Sequence, residues 1–129
     1  MQLRRETGEM TCAYCGTDLF SSYDRWLTLQ VDHAVPTSVA KNLGIPFQLY
    51  EDMFNLVLAC AACNGFDNRY RYRVDVPPQA TWTVEEFVVI RDAIFADRSA
   101  RIAARHDIER AFFASLPALL VDAVGNASG

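Results

Sequence analysis

The chain has 129 residues, of which 51% are hydrophobic, and a formal net charge of −4. This length fits one globular domain with a modest core. The acidic balance argues against a generally basic surface, so any contact with DNA has to come from a local patch. No segment is apolar over the length of a signal peptide or a membrane span, and we therefore expect a cytoplasmic protein without membrane contact.

The four cysteines form two Cys-x-x-Cys pairs, Cys12 with Cys15 and Cys60 with Cys63. In a reducing compartment, two such pairs indicate a zinc site more readily than two disulfides. Four thiolates leave no open coordination position, so the Zn²⁺ ion would be structural and would not activate water. Buried thiols or a redox pair are the alternative interpretation.

A β-strand is predicted over residues 26–35, where apolar and polar residues alternate until Pro36 ends the pattern. Asp32 and His33 lie at the C-terminal end of this strand. Neighbouring side chains on a strand point to opposite faces, so both can serve one site only if the strand bends there.

Two short helices are predicted next. The first covers residues 39–43, is capped by Thr37 or Ser38 and closes at Gly44. The second covers residues 47–54.

The segment from Asn55 to Cys60 is predicted to be buried and extended, and it leads into a helix over residues 61–69. Asn64, Asp67 and Asn68 share one face of that helix by their spacing.

The C-terminal section begins with Thr83 and Glu86 at the spacing of a capping box, which predicts the start of a helix. A bend is expected at residues 97–99, Pro117 is expected to end the helix, and residues 121–129 are expected to form a disordered tail. One apolar stripe runs along the helix: Val84, Phe87, Val88, Ile94, Phe95, Ile102, Ile108, Phe112 and Leu116.

Three polar residues near the two Cys-x-x-Cys pairs, here called the zinc knuckles, suit the hydrolysis of a phosphodiester. A neutral histidine such as His33 can take a proton from water. Mg²⁺ or Mn²⁺ prefers oxygen ligands, which the carboxylate of Asp32 and the amide of Asn64 supply. An Asp-His pair alone is usually incidental, and its position between two zinc knuckles gives it weight.

The chain from Cys12 to about Arg73 resembles the HNH endonucleases of the ββα-metal type. The resemblance lies in Cys12-x-x-Cys15, Val31-Asp32-His33-Ala34-Val35-Pro36, Asn55-Leu56-Val57 and Cys60-x-x-Cys63-Asn64.

The resemblance implies a role for each matching residue. His33 would be the general base, Asp32 and Asn64 would bind one divalent cation, and Asn55 would order the loop and orient the base. The implied fold is two antiparallel strands and a helix around that cation, and cleavage would leave a 5′-phosphate. The chain departs from the family at Asp67, where many members carry lysine, and in a long stretch at 41–52 that looks like an insertion.

The expected architecture is therefore α+β, with a small zinc-stapled ββα-metal core at residues 1–76. A helical extension at residues 77–120 would pack on this core within the same domain. Residues 121–129 would form a disordered tail after this domain.

Two groups of arginines are candidates for holding DNA. Arg69, Arg71 and Arg73 would share one face of an extended segment and could track a backbone. Arg98, Arg101 and Arg105 share a helical face. Ordinary solvated surface is the alternative for both groups, and His106, beside acidic residues, is interpreted as a surface histidine.

Three functions fit these residues. The preferred one is a metal-dependent HNH endonuclease acting on DNA, with double-stranded DNA as the expected substrate. The second is a non-catalytic zinc-knuckle module that binds nucleic acid or protein. The third is an interaction domain whose C-terminal helix pairs with a partner chain, which includes a homodimer.

Overall fold

A two-stranded antiparallel sheet forms the centre of the structure. A computed structural model describes residues 10–65 and 76–128, with side chains up to residue 121. Strand β1 (Leu29–His33) pairs with β2 (Leu56–Cys60), with Asp32 opposite Val57 and His33 opposite Leu56. Both predicted extended segments are confirmed as strands, and Asp32 and His33 end β1 as expected. The first strand is shorter than the predicted residues 26–35, because Trp26 belongs to a helix, the chain turns at residues 27–28 and it bends after His33. The register is continuous, so the strand reaches His33 without a bulge.

The first cysteine pair lies in a tight turn that is docked on the sheet. A bridge between Thr11 and Asp18 closes the turn, and the Ala13 amide donates to the Leu58 carbonyl at 2.9 Å. The turn therefore continues the hydrogen bonding of β2 and brings its thiols to the end of that strand. Helix α1 (Tyr23–Trp26) follows and leads into β1.

The connection between the strands contains α2 (Thr37–Asn42), α3 (Phe47–Tyr50) and a 3₁₀ turn (Met53–Asn55). Neither Thr37 nor Ser38 caps α2, because the cap position is Pro36, which has no side-chain donor or acceptor to offer. The predicted second helix is interrupted after α3. Helix α4 (Ala61–Gly65) follows β2 directly, and the rest of the helix predicted to residue 69 lies outside the described residues.

The long helix α5 (Val84–Ser128) begins at the predicted capping box. The Glu86 amide donates to the Thr83 hydroxyl at 3.1 Å, and the Thr83 amide donates to the Glu86 carboxylate at 2.9 Å. The hydrogen bond that the Thr83 amide donates to the carboxylate is the main reason that the pKa of Glu86 lies below its usual value. The first turn of α5 is thereby fixed.

The predictions for the C-terminal end of this helix were wrong. No bend interrupts α5 at residues 97–99, and the helix continues through Pro117 to Ser128, across the region expected to be a disordered tail. Proline removes one backbone donor and leaves a carbonyl on the preceding turn without its partner. That turn is exposed, with Phe113 at 74%, so water can satisfy the carbonyl.

Helix α5 joins two buried clusters. Phe87, Ile90 and Ile94 pack against residues of the β1–β2 connection, and Ile102 packs in a second cluster with the cysteines. Beyond Ile102 the predicted stripe is exposed at Ile108 (68%) and Phe112 (61%), while Leu116 is half-buried. Among the described side chains of α5, the buried core residues thus end at Ile102. Across the residues described, no helix is both long enough and apolar enough to cross a membrane.

Gly44 occupies a backbone position that other residues adopt at a cost, with φ +75, and it ends α2 as predicted. A Cβ at this position would lie 2.5 Å from the Gln79 carbonyl oxygen. The backbone N–H of Gln79 donates to the Leu43 carbonyl at 3.1 Å, and the Trp82 indole N–H donates to the same carbonyl at 2.9 Å. The segment before α5 is thus held against the end of α2.

We predict that Gly44→Ala destabilises the fold more than Gly16→Ala. Gly16 has a similar φ of +78, but a Cβ there would meet no atom within 4 Å. Gly16→Ala should cost only about 1 to 2 kcal/mol for the left-handed backbone, while Gly44→Ala adds a clash with the Gln79 backbone. Urea unfolding of the zinc-loaded variants measures both, and equal losses would contradict the packing described here.

Candidate metal centre and active site

The four cysteines converge on one point. Cys12 and Cys15 come from the N-terminal turn, Cys60 ends β2, and Cys63 lies in α4. Their sulfur atoms all lie within 4.8 Å of one another, and the Cys15 and Cys60 sulfurs are 3.9 Å apart. Thiolates at about 2.3 Å from a tetrahedral zinc ion lie about 3.8 Å from each other. The four cysteines are therefore placed to hold a zinc ion.

The protonation of these thiols depends on burial. Burial raises the pKa of both Cys12 and Cys63 above the usual value of a thiol. Burial is the largest single effect on Cys15, but hydrogen bonds with Thr17, Cys12 and Cys63 together outweigh it and lower the pKa of this thiol to about 7. Buried thiolates are costly without a nearby positive charge, and a divalent cation supplies that charge.

A histidine on α5 contacts the cysteine cluster. The Nε2 atom of His106 lies 3.0 Å from the Cys63 sulfur, and the Cys63 amide donates to the Cys60 sulfur at 3.4 Å. The interpretation of His106 as an ordinary surface histidine was therefore wrong. Its spacing of four residues from the buried Ile102 was the signal in the sequence that could have revealed it.

Asp32 is held by two donors on the same oxygen. Its Oδ2 atom accepts from the Tyr14 hydroxyl at 2.7 Å and from the Arg98 guanidinium at 3.1 Å. Burial raises the pKa of Tyr14 well above its usual value, although the charge of Arg98 opposes that effect. The tyrosine therefore stays a proton donor to the carboxylate.

Arg98 is buried and fixes the end of β1. Its side chain is 3% exposed, and it donates to the carbonyls of His33 at 2.7 Å and Ala34 at 3.0 Å. The guanidinium also lies 5.4 Å from the centre of the Tyr14 ring. The predicted DNA-binding face on α5 is therefore wrong for Arg98, since a buried guanidinium with these acceptors cannot reach a phosphate. Its place between Ile94 and Ile102 was the available signal.

The imidazole of His33 contacts a carboxylate that the sequence analysis did not single out. Its Nε2 atom lies 3.0 Å from Oε1 of Glu51, with side chains 29% and 36% exposed. Glu51 directly follows α3 and lies in the stretch interpreted as an insertion. A residue of the connection between β1 and β2 thus contacts the last residue of β1.

Asn55 is fully buried and ties the connection together. Its side-chain oxygen accepts from the Val35 amide at 3.0 Å, and its nitrogen donates to the carbonyls of Tyr50 at 2.8 Å and Val35 at 3.3 Å. Its own carbonyl accepts from the Ala34 amide at 2.7 Å. These contacts order the loop that follows His33.

Asn64 lies over the same face of β1 as Asp32. Its amide nitrogen donates to the side-chain oxygen of Gln30. Gln30 and Asp32 are two residues apart on β1, and such residues point to the same face of a strand. The amide oxygen of Asn64 is then the atom left to accept or to bind a cation.

Asp32 and Asn64 lie over one face of β1, whereas alternation along the unbulged strand places His33 on the other face, and each of the three side chains is separately engaged. Among the residues described, no hydrogen bond joins Asp32, His33 and Asn64 to one another; each contacts a different partner. The three arginines predicted to hold DNA, Arg69, Arg71 and Arg73, lie outside the described residues, as does Asp67.

Comparison with protein-family models, with curated proteins and with solved structures found no match to this chain. The resemblance to HNH endonucleases therefore rests on the residues themselves and stays a prediction.

We predict about one zinc ion per chain, bound through the four cysteines. Replacing Cys60 by Ser should abolish tight zinc binding and unfold the chain, because structural zinc can supply on the order of 10 kcal/mol of folding free energy. Ala61→Ser is the matched control, since it adds a hydroxyl at the next, exposed position. Metal analysis and circular dichroism measure the two effects, and a folded, zinc-free Cys60→Ser variant would contradict the assignment.

We predict that Arg98→Ala costs about 3 to 5 kcal/mol of stability, the usual loss when one partner of a buried ion pair is removed. Arg110→Ala should cost less than about 1 kcal/mol, because its pair with Asp107 is exposed on the same helix. Chemical denaturation of both variants measures this difference. Equal stability of the two would show that Arg98 does not hold α5 to β1.

Proposed function

We propose that the chain is a metal-dependent HNH endonuclease that hydrolyses phosphodiester bonds in DNA. The observation that carries the proposal is the arrangement of β1, β2 and α4. Asp32 and His33 end β1 opposite the start of β2, Asn55 precedes β2, and Asn64 lies in the helix that follows it. This is the order along the chain that the resemblance implies for the family's site residues.

His33 is proposed as the general base. An ionised Glu51 carboxylate can only accept hydrogen bonds, so its contact assigns the proton of a neutral His33 to Nε2. The lone pair is then on Nδ1, which takes the proton from the attacking water. The pair with Glu51 and the hydrogen bond from Arg98 to the His33 carbonyl hold the base in place.

Asp32 and Asn64 are proposed to hold one Mg²⁺ or Mn²⁺ ion. Within the described part of the chain, Oδ1 of Asp32 has no hydrogen-bond partner, since Tyr14 and Arg98 both use Oδ2. The hydrogen bond of Asn64 with Gln30 uses its side-chain nitrogen and leaves its side-chain oxygen as the acceptor. These two oxygens suit a hard cation, which when bound supplies positive charge to the leaving oxygen of a phosphodiester.

The four-cysteine cluster is proposed to bind a structural Zn²⁺ ion. Its four thiolates would fill the coordination sphere, so this ion would stabilise the fold and take no part in hydrolysis. Contact with DNA, double-stranded DNA being the proposed substrate, is assigned to Arg69, Arg71 and Arg73 as the sequence predicts.

A non-catalytic zinc module is the second candidate function. Two observations favour it. The ion pair of Asp32 with Arg98 gives this carboxylate a structural use that needs no cation, and the unbulged end of β1 places Asp32 and His33 on opposite faces of the strand. In that case the zinc site and the buried arginine would build a scaffold for binding nucleic acid or protein. The two functions differ in their requirement for His33.

We predict that His33→Ala lowers the rate of plasmid nicking by at least about 100-fold, the usual contribution of a general base. Supercoiled plasmid is incubated with zinc-loaded protein and Mg²⁺ or Mn²⁺, and the appearance of the open circular form is followed. Asp107→Ala serves as the control, because this exposed carboxylate lies far along α5.

Zinc content and thermal unfolding of His33→Ala should match those of the parent chain. Nicking at the parent rate would remove His33 from its role. No nicking by the parent chain with either cation would leave the non-catalytic zinc module as the better account.

A further inference from the structure

We propose that His106 donates a hydrogen bond from Nε2 to the thiolate of Cys63 and so ties α5 to the zinc centre. This inference rests on the zinc site of the proposed function and is independent of nuclease activity. It makes His106 a positioning residue for the metal centre, not a ligand.

The contact between the two residues has a defined direction once zinc is bound. The Nε2 atom lies 3.0 Å from the Cys63 sulfur, which is fully buried. A zinc-bound thiolate has only lone pairs to offer, so the hydrogen atom has to come from the imidazole. His106 would therefore hold its proton on Nε2, and its Nδ1 atom would be the acceptor.

The thiolate needs such a donor. Four thiolates around one divalent ion leave an excess of negative charge in a site where Cys12 and Cys63 are buried. Hydrogen bonds to the sulfurs spread this charge, and the Cys63 amide already donates to Cys60. Outer partners of this kind typically change metal affinity by about 10- to 100-fold.

The same face of α5 reaches both candidate metal sites. Arg98, Ile102 and His106 are spaced four residues apart, which places them on one side of the helix. Arg98 holds the end of β1, Ile102 packs in the cluster that contains three of the cysteines, and His106 contacts Cys63. Zinc would thereby hold α5 in the position from which Arg98 reaches Asp32 and His33.

The test compares two substitutions at this position. His106→Leu keeps a bulky side chain without a donor, while His106→Gln places an amide N–H near the original Nε2. Arg110→Gln, an exposed change one turn further along α5, is the control. Zinc affinity is measured by competition with a chromophoric chelator, and Co²⁺-loaded protein reports the thiolate-to-metal charge-transfer bands.

His106→Leu should bind zinc about 10- to 100-fold more weakly, and its charge-transfer bands should move to longer wavelength because the sulfur lone pairs lose their donor. Amides of residues 98–106 in the zinc-loaded variant should exchange hydrogen faster than in the parent. His106→Gln should restore all three readouts to near the parent values, and Arg110→Gln should leave them unchanged. Parent-like affinity and bands in His106→Leu would overturn the proposal.

A second measurement observes the proton position directly in the parent chain. The imidazole ¹⁵N spectrum of the zinc-loaded protein should show the Nε2–H form for His106, distinguished from His33 by comparison with His106→Gln. A Nδ1–H form would overturn the hydrogen bond to Cys63. If the parent chain binds neither zinc nor Co²⁺, the zinc site itself fails, which is a separate outcome.

Discussion

The convergence of four thiols is the constraint on which the rest of the structure depends. Two chain segments separated by 44 residues meet at this point, one before α1 and one at the end of β2. Within residues 10–65 and 76–128 the sheet has two strands, and such a pair has little stability of its own in water. A tetrahedral ion would join the N-terminal turn, β2 and α4 in one step, and its binding free energy would count as folding free energy.

A buried arginine provides the second constraint and bears on the enzymatic account. Arg98 neutralises Asp32 from inside the protein, which lowers the attraction of that carboxylate for a cation. The same guanidinium fixes the carbonyls after Asp32 and so limits how the end of β1 can move. In a catalytic site, Oδ1 of Asp32 would therefore bind the cation while Oδ2 stays hydrogen-bonded to Arg98. Through Arg98, α5 would then contribute a residue to the active site in addition to stabilising the fold.

Local sequence patterns predicted the strands and the start of the long helix, but they did not predict the polar contacts between residues far apart in the chain. The strand ending at His33, the buried strand before Cys60 and the capping box at Thr83 each depend on neighbouring residues and are confirmed. The Cys-x-x-Cys spacing likewise indicates from the sequence alone that each pair can bind one metal ion. Arg98, in contrast, finds its acceptors more than 60 residues away, and His106 meets Cys63 across 43 residues. A pattern of charges on a helix cannot show which acceptors the fold will bring to it, so both were interpreted as surface.

One crystallographic measurement tests the central claim that this fold organises two metal sites, one at the end of β1 and one among the four cysteines. Crystals of the zinc-loaded chain would be soaked in Mn²⁺, and anomalous differences recorded at the zinc and manganese edges. The account predicts a zinc peak among the four thiolates and a manganese peak bound by Oδ1 of Asp32 and the side-chain oxygen of Asn64. A zinc peak alone, with Asp32 still paired to Arg98 at full Mn²⁺ concentration, would contradict the nuclease and leave the zinc scaffold. The lack of both peaks would contradict the whole account.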